Sequence, residues 1–231
     1  MDEWAASEAL RQYFEALLGR FGPQGWWPAR SRLEVILGAI LTQNTAWENA
    51  ARAIAALRRA GLLRLDRLKA VARRELEGCI RPAGFFRQKS RAIRHFLEWL
   101  FEVHGGSLSA VFSGSPLKLR AELLELDGVG PETADAILLY AGNQPFFVAD
   151  AYTRRVLARH GWISPEADYT EAQAFLHGHL PRQAPLYNEF HALLVEAGKR
   201  YCRRPAPRCK GCPLEDFLPR DRPLVISRSS A

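Results

Sequence analysis

The chain has 231 residues, and 32 Lys+Arg against 25 Asp+Glu give it a formal charge of +7. That length can bury a sizeable core in one or two lobes, and a basic excess made mostly of arginine favours polyanionic partners. No uncharged apolar run is long enough to cross a bilayer, which argues against a membrane protein. Four cysteines, three of them clustered near the C-terminus, suit metal chemistry in a reducing compartment better than a disulfide framework. The N-terminus carries Asp2 and Glu3 and lacks a signal-peptide layout, so a cytoplasmic protein is expected. Strand-like alternation is scarce and helical periodicity common, which predicts an all-α fold.

Residues 3–20 read as an amphipathic helix with Trp4, Leu10, Phe14, Leu17 and Leu18 on its apolar side. Gly22, Pro23 and Gly25 break it before Trp26-Trp27-Pro28, where two tryptophans can plug an interface or wall a pocket for a planar ring. Ser31 caps a helix over 32–42, which ends in Leu41-Thr42-Gln43-Asn44-Thr45, with Trp47 just beyond. Helices over 49–59 and 66–77 follow, with arginines on their outer faces. Residues 80–86 break the pattern, and a long helix then runs to about Val103 with Ile93, Phe96, Leu97, Leu100 and Phe101 inward.

Residues 117–126 form a helix that leads into Gly128-Val129-Gly130-Pro131, and Pro131 opens a second helix over 132–140. The two glycines make a tight turn, and the backbone N–H groups of the turn and the new helix start suit a phosphate. An apolar segment through Phe146-Phe147-Val148-Ala149 ends at Asp150, an N-cap position before a helix bearing Arg154, Arg155 and Arg159. Helices over 170–180 and 184–201 complete the set, the last with Phe190, Leu193, Leu194 and Ala197 inward and His191 and Lys199 among them. Residues 222–231 read as a frayed tail.

These motifs resemble the helix-hairpin-helix, Gly-Pro-Asp superfamily of DNA base-excision glycosylases, over about 31–212. Gly128-Val129-Gly130 matches the hairpin (about 117–141), Pro145 lies in the Gly/Pro-rich link, and Asp150 matches the essential aspartate. The resemblance implies an all-α, two-lobed fold: 32–149 is a helical bundle carrying the hairpin, 1–31 plus 150–231 form the second lobe, and Asp150 sits at the cleft between them. It implies a monomer acting at the nucleoid on double-stranded DNA that contains a damaged base. Gly128, Val129, Gly130, Glu132 and Thr133 are then the DNA-binding hairpin. Gln43 matches the residue that fills the gap left by a flipped nucleotide, and Phe85 the wedge into the base stack. The plainer readings are a polar helix end for Gln43 and a core aromatic for Phe85.

The chain departs from the resemblance twice. Cys202-x6-Cys209-x2-Cys212 resembles the four-cysteine loop that holds a [4Fe–4S] cluster in endonuclease III-like enzymes, but the fourth position is Leu218. A cluster normally wants four thiolates and structural zinc four ligands. Asp216 and Asp221 lie near in sequence, so an intact metal site and a metal-free relic both stay open. Cys79 reads as a small buried apolar residue. Bifunctional relatives also carry a lysine where this chain has Glu132, and a carboxylate cannot form the Schiff base of the lyase reaction. The resemblance is therefore strongest to the 3-methyladenine DNA glycosylase III branch, which implies hydrolytic release of an alkylated purine. Trp26, Trp27 and Trp47 would face the cationic base, with Lys199 at the pocket edge. Asp150 would stabilise the oxocarbenium-like sugar or activate water. An endonuclease III-type glycosylase/lyase for oxidised pyrimidines and a catalytically silent DNA-binding module are the alternatives.

Overall fold

A computed structural model of the chain describes residues 3–219 and 223–224. Asp221 and most of the tail expected to fray over 222–231 lie outside them. Every regular element among the described residues is a helix, and none is long and apolar enough to cross a membrane.

The chain divides into two compact units. Trp27–Gln144 forms one, and the described residues of 1–26 and 145–231 form the other. The divisions fall a few residues before the 31/32 and 149/150 read from the sequence. Trp27 packs on Trp47 and Tyr140 within the first unit, and Phe147 packs on Tyr187 and Phe190 within the second.

The chain starts in the second unit with α1, Glu3–Phe21. Its buried face is Leu10, Tyr13 and Leu17, whereas Trp4, expected on the apolar side, is 75% exposed.

The 27–144 unit is built on α2, Arg32–Leu41, whose N-cap Ser31 accepts from the Glu34 N–H. All but the first residue of α2 is buried, so its apolar sequence makes it the central helix of the unit. Around it come α3 (Trp47–Arg59), α4 (Leu65–Ala70), α5 (Arg73–Ile80), a 3₁₀ turn (Arg81–Ala83) and α6 (Phe86–His104). The single helix expected over 66–77 is thus two. At Val71 and Ala72 the backbone is extended, and the Val71 carbonyl accepts from the Arg94 guanidinium at 2.8 Å instead of continuing a helix. A short α7 (Leu108–Val111) leads to α8 (Pro116–Leu124) and α9 (Pro131–Ala136). The helix expected over 132–140 changes character partway: Ile137–Ala141 is a π-helical turn, a wider geometry that often marks functional sites. The core of the unit gathers Ile36, Leu37, Ile40, Phe96 and Leu138.

The chain returns to the other unit with α10 (Ala151–Arg159), α11 (Tyr169–His179) and α12 (Ala184–Arg200). A reciprocal capping box of Asp168 and Glu171 starts α11. α12 packs on both α10 and α1, around fully buried Tyr13, Phe147, Tyr187 and Phe190.

Candidate active site

Asp150 has the extended backbone of an N-cap, and its Oδ1 accepts from the Thr153 N–H at 2.8 Å, which satisfies an orphan donor of α10. Its other oxygen faces α12, where His191 Nε2 lies 3.6 Å from Oδ2. The Asp150 side chain is 15% exposed and that of His191 10%, so the pair sits in surroundings where charge is poorly screened. Burial pushes the Asp150 carboxyl up, but the facing His191 imidazole, with the Thr153 N–H, outweighs it and holds the group below its ordinary value. Asp150 is therefore a carboxylate at neutral pH, with one oxygen committed to the helix and one turned to an imidazole. Sequence reading missed His191. Its only signal was a histidine among the inward positions of an apolar helix face.

The hairpin joins α8 to α9 and is locked from both sides. Asp135, fully buried, receives a bidentate pair of hydrogen bonds from Arg120 at 2.6 and 3.0 Å. Only Gly128 needs glycine's freedom, at φ +88°, and a Cβ there would come 2.7 Å from the Cβ of Ala92 on α6. Gly130, at φ −89°, needs no such freedom. Gly128, Gly130 and Glu132 are exposed. Val129 is buried, and its N–H donates to the Leu126 carbonyl, so Val129 anchors the turn and does not offer that N–H outward.

Gln43 reaches this hairpin. Its side-chain amide donates to the Gly128 carbonyl and to Thr133 Oγ1, each at 2.8 Å. Thr133, read as part of the DNA-binding hairpin, is 6% exposed, and its hydroxyl accepts from Gln43. Phe85, which had a core reading as well as a wedge reading, is 62% exposed. It also holds a left-handed backbone, φ 44°, at the N-cap of α6. A non-glycine residue there costs roughly 1 kcal/mol or more. Exposure of a large ring at a strained turn removes the core reading.

The structure brings Trp27 and Trp47 together, with ring centroids 5.3 Å apart and edge to face, and adds Tyr140 at 5.1 Å from Trp27. Tyr140 lies on the π-helical turn and was not anticipated. A Cβ on Gly38 would sit 2.8 Å from the Trp27 ring, so glycine in α2 is what lets the indole lie against that helix. Trp26 and Lys199 belong to the other unit, half-buried and exposed respectively.

Cys202, Cys209 and Cys212 line one small cavity, but Leu218, Leu214 and Pro207 line it too. Arg159, 6% exposed, donates to Cys202 Sγ at 3.3 Å and to the carbonyls of Arg203 and Arg204 at 2.7 and 3.1 Å. Arg155 donates to the Cys202 carbonyl at 2.6 Å. Burial pushes the Cys212 thiol up to about 11, against thiolate formation. Among the described residues no three His, Cys, Asp or Glu side chains are grouped to hold a metal. Asp216 is exposed on a 3₁₀ turn, and Cys79 lies on α5 of the other unit. With leucine at the fourth position, the three thiolates are one short of the four that a [4Fe–4S] cluster normally takes.

Residues 37–182 match the HhH-GPD superfamily of base excision DNA repair proteins. A Methanocaldococcus jannaschii protein with a provisional DNA repair glycosylase name is 42% identical over 211 residues, 91% of this chain and 96% of its own length. The crystal structure of the H. pylori 3-methyladenine DNA glycosylase bound to 1,N6-ethenoadenine superposes with a TM-score of 0.72 at 28% identity, covering 87% of this chain and 98% of that one. A trapped endonuclease III–DNA covalent intermediate shares the fold at a TM-score of 0.79 and 21% identity, covering 93% and 96%. The likeness in sequence runs through the hairpin and Asp150. The chain belongs to the HhH-GPD superfamily and is a DNA glycosylase of base excision repair.

Proposed function

We propose that this glycosylase releases alkylated purines from double-stranded DNA by hydrolysis, without cleaving the strand. The observation that carries the reading is Glu132 at the start of α9, exposed beside the hairpin, where a lyase requires an amine. The lysines flanking it in sequence are Lys118, which pairs with Glu122, and Lys199, on α12. Lys89 is buried and bound to two carbonyls. The 28%-identical H. pylori structure, a 3-methyladenine glycosylase with an etheno-adenine bound, supports the substrate class.

An alkylated purine carries positive charge, so its glycosidic bond is already weakened and needs little acid assistance. Aromatic faces favour such a ring, and Trp27, Trp47 and Tyr140 supply them within one unit. As the bond to C1′ breaks, positive charge develops on the sugar. Asp150, ionised and poorly screened, stabilises that charge and accepts a proton from the attacking water. The exposed backbone at Gly128 and Gly130 takes a phosphate, Phe85 enters the base stack, and Gln43 takes the vacated place. Gln43 must leave Gly128 and Thr133 to do so, or fill the gap while still tied to them.

The enzyme acts as a monomer, in a reducing compartment that suits four free thiols, and its cysteine loop folds without a metal. A panel of duplexes, each with one damaged base, tests the reading by base release with and without alkali. Alkylpurine release that needs alkali to cut the strand is expected. Cleavage without alkali at oxidised pyrimidines would move the endonuclease III-type activity to first place, and no release from any duplex would leave a silent binding module.

A further inference from the structure

Lys89, in the first turn of α6, is 3% exposed. Its ammonium donates to the Leu41 carbonyl at 2.9 Å and to the Ala83 carbonyl at 2.8 Å, and its backbone N–H donates to the Phe85 carbonyl at 3.0 Å. Leu41 is the last residue of α2, and the chain beyond it carries Gln43. Ala83 closes the 3₁₀ turn, and the chain beyond it turns through Gly84 to Phe85. One side chain therefore ties together the roots of two separate loops.

Packing does not account for a lysine here. Burial pushes its amine down to about 8, so the charged form is held against a desolvation cost that a methionine of similar length would not carry. What a methionine lacks is donors for two carbonyls that both end helical segments. The third fixed point is the hairpin, to which Gln43 is tied through Gly128 and Thr133. Hairpin, Gln43 loop and Phe85 turn thus form one connected frame, joined at the loop roots by the Lys89 ammonium.

We propose that Lys89 is a positioning residue that fixes the spacing between Gln43 and Phe85, so that both enter the base stack together when a nucleotide leaves it. This rests on the reading of Gln43 as gap filler and Phe85 as wedge. Lys89 itself touches neither base nor sugar. Its effect is on recognition of a vacated stack position, separate from phosphate binding.

The test compares two affinities for the full chain: a duplex with one tetrahydrofuran abasic-site analogue, and the same duplex undamaged. Lys89→Met is expected to cut the preference for the abasic duplex at least about fivefold while leaving undamaged binding, which is mostly phosphate contact, unchanged. In a Gln43→Ala/Phe85→Ala background the same change should cause no further loss, because the side chains it positions are gone. Lys89→Gln keeps two N–H donors without the charge and should retain part of the preference, which gives a readout even if Lys89→Met folds poorly. Equal losses on both duplexes, or a loss that adds in full to the double variant, would make Lys89 a stabilising residue only and overturn the proposal. A Gln43→Ala/Phe85→Ala protein with undiminished preference would overturn instead the reading on which it rests.

Discussion

His191 Nε2 lies 3.6 Å from Oδ2 of Asp150, across the packing of α10 on α12. The other carboxylate oxygen caps α10 through the Thr153 N–H. Asp150 is thereby held by two elements at once. The cap fixes its place at the end of the Phe146–Ala149 segment, and the imidazole biases its protonation state. A carboxylate kept ionised in spite of burial is suited to act on a developing cation or on water.

Replacing His191 with leucine should move the acidic limb of the excision rate to higher pH. The sign follows from the opposing influences on Asp150: His191 and the Thr153 N–H lower its pKa, and burial raises it. Without the imidazole, burial gains weight and the carboxylate takes up its proton at a higher pH. Rates measured from pH 4 to 8 should show this displacement with undamaged-DNA affinity unchanged. An unmoved limb would leave His191 a packing residue.

Asp150→Asn should keep DNA binding and most of its stability while losing at least about a hundredfold in excision rate, the scale of a lost general base or electrostatic stabiliser. Asparagine caps a helix as well as aspartate does, so the thermal midpoint should change little. Near wild-type turnover would reduce Asp150 to a cap.

Borohydride added during turnover should trap no protein–DNA adduct, since Glu132 cannot form an imine. Efficient trapping, lost again on Lys199→Ala, would show that an amine on α12 serves the lyase step and would sink the hydrolytic reading.

Lesion preference rests on the aromatic group. A cationic purine gains roughly 0.5–2 kcal/mol from each good indole contact, which a non-planar, neutral thymine glycol does not. Alkylpurine should be released first when both lesions compete in one reaction. Trp47→Ala should narrow that ratio more than it weakens undamaged binding. Faster thymine glycol release would end the alkylpurine assignment.

Protein purified without oxygen should be colourless and free of iron and zinc, because Leu218 at the fourth position leaves the set one ligand short. Arg159→Met should destabilise the fold by about 1–3 kcal/mol through the unpaired carbonyls of Arg203 and Arg204, read as a lower urea midpoint. A brown protein containing iron, or a silent Arg159→Met, would contradict this account of the loop.

What the sequence determined on its own was most of what near neighbours set. Apolar periodicity marks α2, α6 and α12, Ser31 and Asp150 cap the helices that follow them, and Gly128 with Pro131 turns one helix into the next. These follow from backbone sterics and local hydrogen bonding within a few residues. The tertiary structure decided what each of those residues meets. His191 reaches Asp150 only because α12 packs on α10, and Gln43 meets the hairpin through the Gly128 carbonyl and the Thr133 hydroxyl. Where α4 ends at Val71, the freed carbonyl meets Arg94 of α6. Tyr140 faces Trp27 from a widened helical turn, and Lys89, an ordinary surface residue by composition, is buried between two carbonyls. Partners distant in the chain meet through the packing of whole helices, and no local pattern of residue types encodes which side chain arrives opposite which.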